Sequence, residues 1–360
     1  MLLGRKTVSE VTIDLPSGDT AVFSLNGQAF TENSATCFVI KDAGDDPDVT
    51  NGAELHAEVT LTPALSQRER GQSILISGGT GIGKVTKPGL AVPPGQWAIN
   101  PVPRRMIEQA VNSVIIALPL APCPMPLNIT ISIPDGEQRA LKTLNARLGI
   151  IGGLSVLGTT GIVRPISAKA WTDTIDAALD VAKACGCENV VLSTGRTSEL
   201  AAQQFFRVKG QGSRVANSFL PLPEEAFIMM GDHVAYALQA CARRGFMRPI
   251  IACQFAKLLK IACGHPNTHA AASELDLAAL RGWAREAGIA AGIIEIITQA
   301  NTAREIAVSC AFDAALMQLV AARAEQAAAL HSPGITAQPL LCGYDGTVVP
   351  LSSQQIVSAC

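Results

Sequence analysis

From about Ile166 onward the sequence alternates short apolar runs with amphipathic segments, and no other feature restricts the fold as strongly. Trp171, Ile175, Ala178, Leu179 and Ala182 recur at helical spacing, and Gly186 stops that helix. Asn189–Ser193 follows as a short strand of the buried type, with a helix expected from about Ser198. Ala226–Met230 is a second apolar strand. Asp232 is placed to cap the next helix, which carries Val234, Leu238 and Cys241 and ends at Gly245. Arg248–Cys253 reads as strand and the residues from about Phe255 as helix. Gly292–Ile297 reads as a further strand before a long Ala-rich helix from about Thr302. Alternation of this kind predicts a parallel sheet wrapped by helices. The expectation is a Rossmann-like α/β domain over 149–360 with a mostly parallel sheet.

The first 148 residues follow a different pattern. Val11–Leu15 and Ala21–Leu25 flank the turn-rich Pro16-Ser17-Gly18-Asp19, which predicts a hairpin. Ala53–Leu61 alternates, Ser73–Ser77 is a short apolar strand, and Asn128–Ile133 is another, closed by Pro134-Asp135-Gly136. One helix is expected after Pro103, with Met106, Ala110, Val114 and Ala117 on its inner face. Thr62–Gly71 is polar and reads as a surface loop or small insertion. Strands in a run with one helix predict an α+β N-terminal domain over 1–148. A length of 360 residues accommodates two such domains.

Composition removes several function classes. A hydrophobic share of 48% with a formal net charge of −2 argues against disorder, and gives no basic excess for nucleic acid or an anionic membrane. Aromatic residues make up 4%, too few for a base-stacking platform. The opening MLLGRKTVSE has no apolar stretch of signal-peptide length, Val114–Leu118 is cut by Pro119 and Pro122, and Ile293–Ile297 is interrupted by Glu295. These features predict a cytoplasmic protein with no membrane partner. Of ten Cys the only close pair is Cys185-Gly186-Cys187, so reduced, mostly buried thiols are expected. His265 and His269 are separated by Pro266, which spoils a helical metal pair, and no protein-held metal is expected.

Several stretches invite a chemical reading. Gly78-Gly79-Thr80-Gly81-Ile82-Gly83-Lys84-Val85 nearly spells a phosphate-binding loop, which would make the chain an ATPase or kinase. Val85 stands where Ser or Thr must hold magnesium, and Pro88, Pro93 and Pro94 forbid the helix that must follow. Lys41–Asp48 is acidic but fails the calcium-loop pattern at Pro47 and Ala53. It is either a solvated turn or a set of carboxylates facing a cationic ligand. Gly149–Pro165 is rich in Gly and Thr and suits close backbone approach to a ligand or a tight crossover. Ser193–Glu199 and Met230–Asp232 each leave the end of a strand, where open parallel sheets bind ligands. Thr197 or Ser198 is equally placed to cap a helix. Asn301 and Thr302, near Glu305, have the same placement after Gly292–Ile297.

Four longer stretches carry a resemblance. They are Lys41–Gly52 (KDAGDDPDVTNG), Gly78–Arg104 (GGTGIGKVTKPGL through AINPVPR), Lys142–Ser167 (KTLNARLGIIGGLSVLGTTGIVRPIS) and Lys257–His269 (KLLKIACGHPNTH). Together, and in this order, they resemble the cobalt-precorrin-5B C1-methyltransferase family of anaerobic cobalamin biosynthesis over nearly the whole chain. The resemblance implies methyl transfer from S-adenosyl-L-methionine to C1 of cobalt-precorrin-5B, giving cobalt-precorrin-6A. Cobalt then arrives only inside the tetrapyrrole substrate. The implied protein task is alignment of two bound partners, with no catalytic residue assigned. Two departures are visible. Members usually open with a segment like GYTTGTCAAAAAKAA, which would fall before Met1, and Ala256 stands where Gly usually precedes Lys257. The first departure implies slow turnover that the upstream segment would raise, or a tetrapyrrole-binding pathway protein inactive without it. The donor is expected at the strand ends, with Gly195 and Ser198 approaching it and Glu199 or Asp232 accepting from its ribose hydroxyls; failing that, it is expected at the Gly152–Gly161 crossover. The tetrapyrrole carboxylates are expected to meet Lys84, Lys87, Arg104 and Arg147 at the domain boundary.

Overall fold

A computed structural model describes residues 1–2, 6–15, 18–46, 48–61, 74–117, 127–157, 168–209 and 221–351. The chain is a mixed α/β protein that folds as two compact units, Met1–Ser167 and Ala168–Cys360. The polar stretch 62–71 lies outside the described residues, as do residues 158–167.

In the first unit β1 (Glu10–Asp14) and β2 (Thr20–Ser24) form the expected antiparallel hairpin, with Glu10 opposite Ser24. Next come β3 (Gly27–Phe30), β4 (Ser34–Ile40), β5 (Glu54–Leu61) and β6 (Ile74–Gly78), then the two-residue β7 (Lys84–Val85) and helix α1 (Pro101–Ala117). Strand β8 (Leu127–Ser132), the short helix α2 (Gly136–Ala140) and β9 (Ile150–Ile151) complete the unit. The main sheet has the order β3-β4-β5-β8-β6 and is antiparallel except where β6 runs parallel to β8. Its core is Ala53, Ile76, Ile82, Ile99, Ile129, Ile133 and Leu154. Residues 149–157 pair into this unit: β9 runs antiparallel to β7, and Leu154 and Val156 bridge to Ile82 and Ile99.

The inner face of α1 differs from the expected one. Val114 is 54% exposed and Ala110 and Ala117 face solvent, whereas Pro103, Ile107 and Val111 turn inward. Pro103, Ile107 and Val111 are spaced by four, so the same helix rotated by one residue buries its larger side chains.

The second unit begins with α3 (Ala168–Ala184), whose buried residues are Ile175, Leu179, Val181 and Ala182; Gly186 follows at φ 77°. The chain continues through β10 (Val191–Ser193), α4 (Arg196–Lys209), β11 (Phe227–Met229), α5 (Val234–Arg244), β12 (Ile250–Gln254) and α6 (Phe255–Ala262). Helices α7 (Leu277–Glu286), α8 (Ala291–Gln299), α9 (Ala303–Ser309) and α10 (Ala314–His331) precede the last strand, β13 (Gln338–Cys342). The sheet is parallel throughout, in the order β11-β10-β12-β13. The step from β10 to β11 and the step from β11 to β12 run in opposite directions. Right-handed crossovers therefore put their helices on opposite faces. Helix α4 covers one face over Val191, Phe227, Ile250 and Leu340. The larger core on the other face includes Leu179 of α3, Leu238 of α5, Leu258 of α6 and Val320 of α10.

Five local expectations are corrected. Gly292–Ile297 lies in α8, not in a strand; Ile293, Ile294 and Ile297 share the buried side at helical spacing. Short apolar runs fit either period, and the fourth strand is instead Gln338–Cys342, where Pro339 is tolerated because the strand lies at the sheet edge. The Ala-rich segment is two helices, because Ala311 and Phe312 turn to φ 47° and 54° and Asp313 accepts from Leu316 N to cap α10. Thr302 caps α9 while Glu305 accepts from Asn301 N, a reciprocal cap and not a strand end. Asp232 does not cap α5, whose first flanking residue is His233. Thr197 and Ser198 lie inside α4, which starts at Arg196.

Candidate functional site

Strands β10 and β11 are parallel neighbours, so Ser193–Glu199 and Met230–Asp232 leave the sheet side by side. The carbonyl of Ser193 ties them, accepting from Met230 N at 2.9 Å and from Gly231 N at 3.2 Å. The chain after β10 turns to one face and the chains after β11 and β12 to the other, which opens a crevice beside β10. Gly195 stands at this opening. A Cβ built on it meets no heavy atom within 4 Å. Its carbonyl accepts from Glu199 N at 3.0 Å and from Ser198 Oγ at 2.9 Å, which starts α4. Glu199 is wholly buried and its carboxylate accepts from Arg196 at 2.7 Å.

Asp232 sits at the hub of a polar network. Its Oδ1 accepts from Lys257 Nζ and, at 2.7 Å, from Thr268 Oγ1, while its backbone carbonyl accepts from Thr268 N at 3.0 Å. Burial alone pushes the Asp232 carboxyl up, but Lys257, Thr268 and nearby His269 outweigh it and hold the group below the usual carboxylate range. Lys257 Nζ also donates to Thr268 O at 3.0 Å; Lys260 Nζ donates to the same oxygen at 3.1 Å and to Ser273 O at 2.9 Å. Thus Lys257–His269 folds back and pins Thr268 onto Asp232. On the other side Trp171 Nε1 donates to Met230 O at 3.0 Å, and its ring covers Gly231, where a Cβ would come within 2.7 Å of it. Lys257, Lys260, Thr268 and Trp171 belong to the crevice and were not expected there. Lys257, Lys260 and Thr268 had a signal, since all three lie in the last of the four resembling stretches.

In the first unit the Gly-rich loop is a packing device. Gly81 has φ 71°, and a Cβ there would lie 1.9 Å from Ile133 O; a Cβ on Gly153 would lie 2.3 Å from Gly81 O. Four backbone amides of this stretch are already donated: Gly79 N to Ile131 O, Ile82 N to Gly79 O, Gly83 N to Leu154 O and Val85 N to Gln96 O. Lys84 opens a strand, not a helix. The phosphate-loop reading is therefore overturned.

The four expected substrate cations gather around the β7–β9 ribbon. Lys84 Nζ lies 4.4 Å from the centre of the Trp97 ring. Lys87 Nζ donates to Arg147 O at 3.3 Å. Arg104 faces inward: its guanidinium donates to Ile99 O at 2.9 Å, Ile76 O at 3.1 Å and Trp97 O at 3.4 Å. Arg104 thus braces β6 against the chain leading to α1. In the acidic turn, Asp48 pairs with Lys41 and accepts from Thr50, while Asp42 Oδ1 accepts from Gly44 N at 2.8 Å. Those carboxylates are engaged within the turn itself. Of the fallback crossover, residues 158–161 lie outside the described residues.

Comparison with known proteins matches the family CbiD over residues 1–165 and the CbiD C-terminal domain over residues 267–353. A protein of Pelobacter propionicus named cobalt-precorrin-5B C(1)-methyltransferase is 59% identical, over 97% of this chain and 90% of the relative. One of the same name from Geobacter metallireducens is 54% identical, over 97% of this chain and 92% of the relative. A solved cobalamin biosynthesis protein (cbiD) from Archaeoglobus fulgidus matches 71% of each chain at 23% identity, with a TM-score of 0.34.

Proposed function

This chain belongs to the CbiD family, and from that premise we propose how its residues divide the work of methylating C1 of cobalt-precorrin-5B. The chain is a methyltransferase of cobalamin biosynthesis, as its relatives are named. We read the second unit as Rossmann-like and place S-adenosyl-L-methionine at its carboxyl edge. The observation that carries this is the open space over Gly195 beside the ionised Asp232. A residue without a side chain lets a ligand lie against the backbone, and an ionised carboxylate suits a cationic donor or its ribose hydroxyls. Asp232 is the group for direct contact. Glu199, buried with Arg196, fixes the start of α4, and Ser198 secures Gly195.

When bound, S-adenosyl-L-methionine supplies a methyl group already activated as an electrophile on sulfonium. The chain's residues then bind, orient and exclude water; holding two partners in line is worth several kcal/mol. The substrate's carboxylates are met by Lys84, Lys87 and Arg147, with Arg104 holding the scaffold beneath them. Cobalt enters as part of that substrate. No helix among the described residues is long and apolar enough to cross a membrane, and we place the reaction in the cytoplasm.

Calorimetry with S-adenosylhomocysteine tests the donor site. Asp232→Ala is expected to weaken binding strongly and Glu199→Gln to weaken it moderately. Unchanged affinity in both removes the donor from this edge.

A further inference from the structure

Lys257 and Lys260 stand one turn apart on α6, the helix that leaves the sheet directly at the end of β12. Both ammonium groups donate to a single oxygen, the carbonyl of Thr268, at 3.0 and 3.1 Å. Two positive charges are thereby held within the roughly 6 Å over which like charges disfavour one another. Asp232 is the carboxylate set against them: it pairs with Lys257, and among the described residues Lys260 has no carboxylate within ion-pair distance. His265 and His269 lie on the same loop and add no negative charge. The first turn of α6 carries no acidic residue. The site therefore holds one more positive charge than negative.

Donor counting gives the same result. An ammonium has three N–H groups. Among the described residues, Lys257 directs two, to Asp232 and Thr268, and Lys260 directs two, to Thr268 and Ser273. One N–H remains on each, and both remaining groups belong to side chains fixed by their other bonds. Lys257 keeps 30% of its side chain in contact with solvent, so an incoming group has access. Burial, and after it the charge of Lys257, lowers the proton affinity of Lys260, and the two together outweigh the opposing pull of Asp232.

We propose that Lys257 and Lys260 form a carboxylate-binding site at the crevice, each giving one N–H to the two oxygens of a ligand carboxylate. This rests on the methyltransferase reading, whose reactants offer two such groups: the amino-acid carboxylate of the methyl donor and the acetate or propionate arms of the corrinoid. The pair also explains why Asp232 is fastened so tightly. The Asp232 carboxylate, paired with Lys257, would repel an incoming anion, and its bond from Thr268 holds it in place.

The test uses the full chain with Lys260→Gln, which removes the charge but keeps N–H donors for Thr268 and Ser273, and with Lys257→Met. Titrations employ S-adenosylhomocysteine and its analogue lacking the carboxyl group. If the donor's carboxylate is the ligand, Lys260→Gln loses about tenfold to a hundredfold in affinity for S-adenosylhomocysteine and none for the analogue, whose retained binding shows an intact fold. If the corrinoid's carboxylate is the ligand, both titrations are unchanged and KM for cobalt-precorrin-5B rises about tenfold at constant kcat. Unchanged titrations together with unchanged KM in both variants overturn the proposal. Equal losses for both ligands also overturn it, since they mark general damage to the loop. A donor bound elsewhere is recognised separately: Gly195→Leu then leaves S-adenosylhomocysteine affinity intact, and the corrinoid outcome for Lys260 is still open to measurement.

Discussion

Two glycines in this chain are predicted to respond oppositely to a side chain. Gly81 has φ 71°, and its Cβ would lie 1.9 Å from a backbone oxygen, a clash that no rotamer relieves. The left-handed conformation costs an L-residue about 1–2 kcal/mol, and forcing atoms into a packed site adds roughly 1–3 kcal/mol. Gly81→Ala is thus expected to lose about 2–5 kcal/mol, a large part of a typical net stability, and to lower Tm by roughly 4–20 °C. Gly195 has open space at its Cβ. Gly195→Leu gains about 0.4–1 kcal/mol from a stiffer unfolded chain and gives back about as much at a helix start, where Gly is better than an aliphatic residue. Tm should therefore hardly move. A ligand lying on that backbone would instead meet the new side chain, at about 1–3 kcal/mol, or about fivefold to 150-fold in affinity. Differential scanning calorimetry and titration with S-adenosylhomocysteine read the two quantities on the same samples. Gly195→Leu with native Tm and native affinity would falsify the placement of the donor, and Gly81→Ala with native Tm would refute the packing account of the Gly-rich loop.

Lys87→Ala is expected to raise KM for the tetrapyrrole by at least about tenfold, from loss of one charge-assisted bond. Arg104→Ala should instead lower Tm, since three carbonyl oxygens lose a donor; the reverse pattern would exchange their roles. Asp176 accepts from Tyr236 and pairs with Arg244, and these partners outweigh burial to hold its carboxyl below the ordinary value of 3.8. Its stabilisation is complete above that value and is lost as pH falls through the lower folded-state value. Acid unfolding followed by circular dichroism should therefore begin at higher pH in Arg244→Met; an unshifted midpoint would count against the ion pair. Native-state thiol labelling should modify exposed Cys185 early. Cys241, pushed by burial to about 12, and buried Cys253 and Cys342 should react only on unfolding.

The parallel sheet was legible because its strands are buried on both faces and its helices end on glycines: Val191–Ser193 is fully buried, and Gly245 closes α5 at φ 83°. Legibility failed where two periods fit one run. The Ile-rich α8 satisfies a strand and a helix equally over six residues, and only neighbours distant in sequence choose between them. β13 was not read from the sequence at all: it contains Pro339, which only an edge strand accommodates. The break between α9 and α10 left a single cue, Asp313, in sequence that is otherwise uniformly helix-forming.

The site was less legible because what matters there is which polar groups are already committed, and commitment is a property of three-dimensional partners. Gly78–Lys84 is the loudest phosphate-like signal in the sequence, yet its amides are donated to Ile131, Gly79 and Leu154. Arg104 looks like a substrate cation and spends its guanidinium on three carbonyls. Asp232 looks like a helix cap and is instead fixed by Lys257 and by Thr268, 36 residues further along the chain. By the same criterion Lys260, to which the sequence assigns no role beyond its place in the last resembling stretch, becomes significant: it shares an acceptor with Lys257, has no ion-paired carboxylate among the described residues, and keeps a donor to give. A net charge of −2 over 360 residues is silent on such a point. A carboxylate-bearing ligand responds to the local surplus at α6, and to how rigidly Thr268 and Ser273 hold the two ammonium groups that carry it.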